Sequence, residues 1–303
     1  PDESLADVNF EDYMTRGVLV AAEAVQKETG AKKINGLGYC VGGTLLATTL
    51  AYLSKRRENM FRSATFLTTQ VDFTKAGDLL LFIDDAQLTN LDEMMAERGY
   101  LDGSRMANVF NMMRPKDLIW PYIVNNYMLG KKPFPFDLLY WNQDSTRMPA
   151  ANHHYYLREF YHENKLAKGE LEIAGETVCL SDIKIPIFDL ATKEDHIAPA
   201  QSVFIGAQLF GGPVELVVAG SGHIAGVINP PAKVKYQYWT ASKAAADTLP
   251  DWMSMARETP GSWWPYWIEW MQEQSGKTIE PRDPGEVLGV IEDAPGSYVR
   301  VSS

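Results

Sequence analysis

The chain has 303 residues, 46% of them hydrophobic, enough for one large core with an inserted subdomain. Its 28 basic and 39 acidic residues leave a formal charge of −11, so no pooled positive field is available for general nucleic-acid binding. Two cysteines without metal-like spacing argue against a disulfide framework and for a reducing, cytoplasmic setting, and no apolar run is long enough for a transmembrane segment.

Tyr13, Val18, Leu19, Ala22 and Val25 recur at helical spacing between Phe10 and Glu28, and Gly30 follows as a stop. Lys33–Tyr39 reads as a short strand, Gly42–Ser54 as an apolar helix, and Ser63–Thr69 as a buried strand rich in β-branched and aromatic residues. Such a strand–helix–strand unit implies parallel strands and a right-handed crossover. From Thr74 to about Glu172 the pattern changes to helical segments and loops rich in Met and aromatics. At about one hundred residues this stretch is far longer than an ordinary connection, which predicts a mostly helical inserted cap. The sheet resumes at Ile185–Ala191, followed by a helix over Pro199–Leu209 and a strand over Val214–Ala219. The tail from Tyr236 reads as one helix, an aromatic turn, a second helix to about Gln274 and a Pro/Gly-rich end. The predicted organisation is a core of residues 1–73 and 179–303 interrupted by a cap at 74–178. Trp263, Trp264, Trp267 and Trp270 are expected to pack the core, with an apolar ligand surface as the alternative.

The most informative stretch is Gly38-Tyr39-Cys40-Val41-Gly42, between the predicted strand and the predicted helix. In α/β-hydrolases the corresponding pattern is Gly-x-Ser-x-Gly, a strained strand-to-helix turn that exposes the nucleophile. Side chains two residues either side are expected to collide with neighbouring backbone. The helix aims its N-terminal N–H groups and dipole at the nucleophile, an arrangement that favours a thiolate. A cysteine nucleophile needs a base and a group to orient that base, in the chain order nucleophile, acid, histidine. Asp195 follows the strand ending at Ala191, and His223 follows the strand ending at Ala219 in Gly220-Ser221-Gly222-His223-Ile224-Ala225-Gly226. Glu194 is the competing acid and His196 the competing base. His153, His154 and His162 are expected to pack or face solvent, and Cys179 to be an inert buried thiol. The backbone N–H of Val41 is the expected oxyanion donor. Only about one helix precedes the elbow strand, so that strand is expected to be an exposed edge and the chain to be the C-terminal part of a longer polypeptide without its first core strands.

The chain resembles the polyhydroxyalkanoate synthases, most closely the class I type. The resemblance is carried by Gly38–Thr44, Leu67–Phe73, Tyr140–Thr146, Tyr156-Leu157-Arg158, Glu194–Pro199, Gly220–Gly226 and Gly261–Pro265. It implies an α/β-hydrolase fold with a cap over a Cys40–His223–Asp195 triad. It also implies an acyltransferase that polymerises (R)-3-hydroxyacyl-CoA, most simply 3-hydroxybutyryl-CoA, into polyester with release of CoA. Asp195 either orients His223 or helps to activate the attacking hydroxyl. Arg158 and His196 are implied contacts of the CoA substrate, and Trp141 and Asn142 are motif residues with structural roles. No cofactor and no metal are expected. A homodimer located in the cytoplasm at the surface of polyester granules is implied as well. The alternatives are a cysteine-dependent thioesterase or esterase of the same fold, which differs in admitting water, and a non-catalytic granule scaffold.

Overall fold

The computed structural model describes residues 2–113, 119–132, 146–241 and 246–301. The chain divides into two compact units. One comprises Pro1–Asn9, Asp84–Tyr155 and Val290–Ser303, and the other Phe10–Ile83 and Tyr156–Gly289.

The larger unit is built on a sheet. Its first helix, α1, runs as Phe10–Asp12, a π-wound stretch Tyr13–Leu19, and Val20–Thr29, and stops at Gly30, whose φ of 67° is the left-handed cap expected of a glycine. Strand β1 (Ile34–Tyr39), helix α2 (Val41–Lys55) and strand β2 (Phe61–Leu67) follow within a residue or two of their predicted positions. Strand β2 also pairs in parallel with β5 (Ile187–Thr192), and β5 with β6 (Val214–Ala219). Every residue of β5 is buried, which is why it reads as a continuous apolar run rather than an alternation. The sheet order is β1-β2-β5-β6 and then two tail strands, β7 (Gln237–Thr240) and β8 (Arg257–Pro260), so the elbow strand β1 is an edge, with Leu37 54% exposed.

The period of two along β5 and β6 sorts side chains to two faces. Ala191, Leu216 and Val218 pack with Val203, Phe204 and Ala207 of helix α7 (Ala200–Ala207) and with Trp239 and Trp252. Phe188, Leu190, Val217 and Ala219 pack on the other face with Trp263 and Tyr238. Trp264, Tyr266, Trp267 and Trp270 pack against that second cluster from helix α9 (Trp264–Gln274), so the tryptophan-rich segment is core packing. The indole N–H of Trp267 donates to Thr65 Oγ1 at 3.0 Å, satisfying the polar edge of a largely apolar ring.

Two pairs of strands depart from the sequence expectation. Leu171–Ile173 (β3) and Glu176–Val178 (β4) form a hairpin in what reads as helix and loop. Its two-residue turn, Ala174-Gly175, has φ of 49° and 76°, the left-handed pair that matches strand twist. The tail also contributes β7 (Gln237–Thr240) and β8 (Arg257–Pro260), paired antiparallel and flanking helix α8 (Leu249–Met255). Four-residue strands carry too little alternation to be read alone, and Arg257-Glu258-Thr259-Pro260 is recruited by the free edge of β7 rather than by its own propensity.

In the smaller unit, α3 (Asp85–Ala96) is capped by Asp84, which accepts from the Gln87 N–H at 2.8 Å. The unit also holds α4 (Gly103–Met113), α5 (Trp120–Tyr122, continued as π-wound Ile123–Met128) and α6 (Ala150–Tyr155). His153 is buried there and burial lowers its pKa to about 4, while His154 Nδ1 lies 2.8 Å from Asp92 Oδ1. Among the described residues no helix is long and apolar enough to cross a membrane.

Phe188 is fully buried at the centre of the sheet, beneath Trp263 and Trp270. Phe188→Ala is expected to cost about 3–5 kcal/mol, the range for emptying a packed aromatic site. It would be measured as a lowered urea midpoint at unchanged slope.

Candidate active site

Cys40 sits between the end of β1 and the start of α2 with φ 51° and ψ −125°. A side chain other than glycine rarely adopts positive φ, and such strain persists only where the surroundings over-determine it. Here they do. The Cys40 N–H donates to the Leu67 carbonyl of β2 at 2.9 Å. Its own carbonyl accepts from the N–H groups of Gly43 and Thr44 at 2.9 and 3.2 Å. A Cβ on Gly38 would lie 2.4 Å from the Gly43 Cα, and one on Gly43 would lie 1.8 Å from Thr69 Oγ1. A Cβ on Gly42 would meet nothing within 4 Å. The expected collision on both sides of the nucleophile is thus corrected. It holds for Gly38, but on the helix side the forbidden position is Gly43, because Thr69 closes over it.

His223 and Asp195 come from the loops after β6 and β5 and meet with Nδ1 2.7 Å from Oδ2. His223 is 8% exposed, and the Asp195 side chain is fully covered. Asp195 also accepts from Thr192 Oγ1 at 2.9 Å on Oδ2 and from the N–H groups of Ile197 and Ala198 at 2.8 and 2.9 Å on Oδ1. Glu194 is exposed, so the acid turned toward the histidine is Asp195. Tyr39 steadies the His223 loop. Its hydroxyl donates to the His223 carbonyl at 2.8 Å, and its ring lies edge-on to the imidazole at 5.3 Å. The indoles of Trp263 and Trp264 donate to the carbonyls of Gly226 and Val227, which ties the far side of that loop to α9.

Burial by itself would lower the pKa of His223. The hydrogen bond to Asp195, then that to Cys40, and the charges of both groups overcome it and push the value up to about 9. A proton that reaches this imidazole at neutral pH is therefore held there. His223 is thus hydrogen-bonded to Asp195 and feels the charge of Cys40. Val41 opens α2, where N–H groups have no partner inside the helix.

The remaining candidates fall differently. Arg158 is part of an ion-pair cluster, its Nη1 3.8 Å from Glu163 Oε1, beside Lys165 bridged to Glu159 and Glu163. His196 is half-buried in the turn that carries Asp195. Trp141 and Asn142 lie outside the described residues. Cys179 is half-buried rather than buried, with Sγ 3.1 Å from Ser181 Oγ. Sequence reasoning missed Tyr39, Tyr156 and Tyr161, whose phenols are raised by burial and by the charge of Cys40. No periodicity singles them out, because Tyr156 and Tyr161 are five residues apart.

Two outcomes follow from this geometry. Gly43→Ala is expected to destabilise the fold by more than about 2 kcal/mol through overpacking. Gly42→Ala is expected to be neutral or to stabilise by up to about 1 kcal/mol as a helix former, both read from chemical denaturation. His223 is raised in the fold from 6.5 to about 9, so its contribution is complete below pH 6.5 and lost as the pH rises through 9. Stability is thus expected to fall across that window. In Asp195→Asn the imidazole, followed by NMR, is expected to titrate lower and the fall to shrink.

A family model described as alpha/beta hydrolase fold matches residues 3–230. The chain is 56% identical to the poly(3-hydroxyalkanoate) polymerase subunit PhaC of Rhizobium meliloti (strain 1021), covering 99% of this chain and 49% of that protein. It is 54% identical to the protein of the same name from Rhizobium etli, covering 99% and 47%. It is 53% identical to the poly(3-hydroxyalkanoate) polymerase of Methylorubrum extorquens, covering 100% and 50%. The chain thus spans about half the length of the curated relatives it matches. With the mostly parallel sheet, the strained turn at Cys40 and a family match over more than two hundred residues, the chain belongs to the alpha/beta hydrolase fold family.

Proposed function

We propose that this chain carries the catalytic centre of a polyester synthase that polymerises (R)-3-hydroxyacyl-CoA and releases CoA. The observation that carries the reading is the buried Asp195–His223 pair, 2.7 Å apart, together with Cys40 at the strained elbow, whose charge acts on His223. The similarity to poly(3-hydroxyalkanoate) polymerases over the whole chain supports it.

The steps balance on these residues. His223 accepts the proton of the Cys40 thiol, and the thiolate attacks the thioester carbonyl carbon. The oxyanion that forms faces the N–H of Val41 at the start of α2. The bond to the CoA sulfur breaks, His223 returns its proton to that sulfur, and the acyl group remains on Cys40. The 3-hydroxyl of another unit then gives its proton to His223, and its oxygen attacks the Cys40 thioester. The new ester forms as the Cys40 sulfur leaves and recovers the proton. Asp195 acts as the orienting group. Both of its oxygens are already occupied by four donors, which leaves it poorly placed to receive a proton from a substrate hydroxyl. A thioester linkage suits a group that must be passed on, because an alcohol attacks it more readily than an oxygen ester.

The proposal extends to CoA contact by Arg158 and His196, and to a homodimer at the polyester granule surface in the cytoplasm. In the smaller unit the exposed Trp120, Tyr127, Met128 and Leu129 are compatible with an apolar contact of that kind.

The test is CoA release from (R)-3-hydroxybutyryl-CoA with the product examined for insoluble polyester. Polymer with CoA release is expected, falling about 10³-fold or more in Cys40→Ala and His223→Ala. Release of free 3-hydroxybutyrate without polymer would reassign the site to hydrolysis, and undiminished release by Cys40→Ala would remove Cys40 from the chemistry.

A further inference from the structure

Beside Cys40 lie two phenols that the reaction above does not use. Tyr156 and Tyr161 belong to one π-wound helical segment, Tyr156–His162. In an α-helix, residues five apart point about 140° away from each other. A π turn closes over five residues and returns both to one face. Here the two rings stand 5.5 Å apart at 82°. Phe73 packs against both, at 6.1 Å from Tyr156 and 4.6 Å from Tyr161, and Phe160 fills the space beside Tyr156 at 5.4 Å.

The Tyr161 hydroxyl joins a buried polar chain, and the Tyr156 ring stands against that of Tyr161. The Tyr161 hydroxyl donates to Gln70 Oε1 across a long 3.4 Å. Gln70 Nε2 donates to Ser202 Oγ at 3.0 Å, and Ser202 Oγ donates to the Asp72 carbonyl. Thr44 Oγ1 donates to the Gln70 carbonyl at 2.7 Å, and the Thr44 N–H donates to the Cys40 carbonyl at 3.2 Å. Through Gln70, Tyr161 is thereby tied to Thr44 in the first turn of α2, the helix that Cys40 precedes. Burial and the nearby Cys40 charge keep both phenols protonated.

A phenol offers one donor and two acceptor positions. A thioester carbonyl can only accept, whereas a 3-hydroxyl both donates and accepts. Two adjacent phenols, one holding its outer acceptor only loosely, have the capacity to do both. Packing alone would be served equally by phenylalanine, which already surrounds the pair. We propose that the Tyr156–Tyr161 pair, brought to one face by the π-wound turn, binds the 3-hydroxyl of the acyl group delivered to Cys40 and so sets the preference for 3-hydroxyacyl thioesters. The inference rests on the synthase reading above.

The experiment compares Cys40 acylation by (R)-3-hydroxybutyryl-CoA and by butyryl-CoA, which lacks only the hydroxyl, following the mass gain of the protein in a single turnover. The unaltered chain is expected to react at least about tenfold faster with the hydroxyacyl thioester, since a site built around a hydroxyl penalises its loss. Tyr156→Phe and Tyr161→Phe, checked for folding by near-UV circular dichroism, are expected to bring that ratio down toward one. Equal rates on the unaltered chain, a result that needs no variant, overturn the hydroxyl assignment and leave the synthase reading standing. A proportional loss on both thioesters in the variants overturns it in favour of a role at the carbonyl or in packing. No adduct on Cys40 from either thioester overturns the synthase reading and this assignment together.

Discussion

The structure depends on the backbone of Cys40 being held where an L-residue does not readily go. A residue in this region costs about 1–3 kcal/mol, so the conformation needs an outside constraint. That constraint is the close approach of β1 and α2. The Gly38 position and the Gly43 Cα are so near that no Cβ fits between them, and Thr69 closes the other side. Strand β2 supplies the Leu67 carbonyl to the Cys40 N–H, so the parallel register Tyr39↔Leu67 and the strained turn support each other. The same turn starts α2 at Val41 and leaves its first N–H groups beside the thiol.

The other two side chains of the candidate site reach Cys40 because parallel strands end on one edge of the sheet. Strands β5 and β6 run beside β2 in the same direction, so the loops carrying Asp195 and His223 emerge next to the elbow. The position of Asp195 is saturated by hydrogen bonds within its own turn, which makes it a rigid support for the imidazole. The His223 loop is held on one side by Tyr39 and on the other by the indoles of α9. The aromatic tail segment therefore acts on the site through packing, by fixing the carbonyls of Gly226 and Val227. Raising the histidine to about 9 is the electrostatic result of that fixed geometry, since desolvation acts in the opposite direction.

Four strands, the elbow helix and the order Cys40, Asp195, His223 were legible in the chain itself. Strand runs such as Ile187–Thr192 are buried on both faces and so read as unbroken apolar sequence, and a glycine-flanked turn between strand and helix has few other readings. The sequence put Asp195 ahead of Glu194 without a physical reason for excluding the latter, because adjacent acids in one loop differ only in which way the turn points them; the fold exposes Glu194 and buries Asp195. The hairpin at 171–178 and the strands β7 and β8 were missed for a related reason. Each strand is three or four residues long, and pairing with a neighbour rather than internal alternation decides its state.

By itself the sequence determined the fold class, the position of the elbow and the identity of the three candidate groups, because these follow from local patterning and residue chemistry. Tertiary structure alone decided that on the helix side of the elbow Gly43 rather than Gly42 is the indispensable glycine, since the obstacle is Thr69, twenty-six positions away. It alone placed Tyr39 on the histidine loop and two tyrosines five residues apart beside the thiol. A π turn rearranges the helical faces without leaving a trace in the apolar periodicity. Local rules act over a turn of helix or a few residues of strand. What surrounds Cys40 is assembled from segments more than one hundred residues apart, and only the folded sheet brings them together.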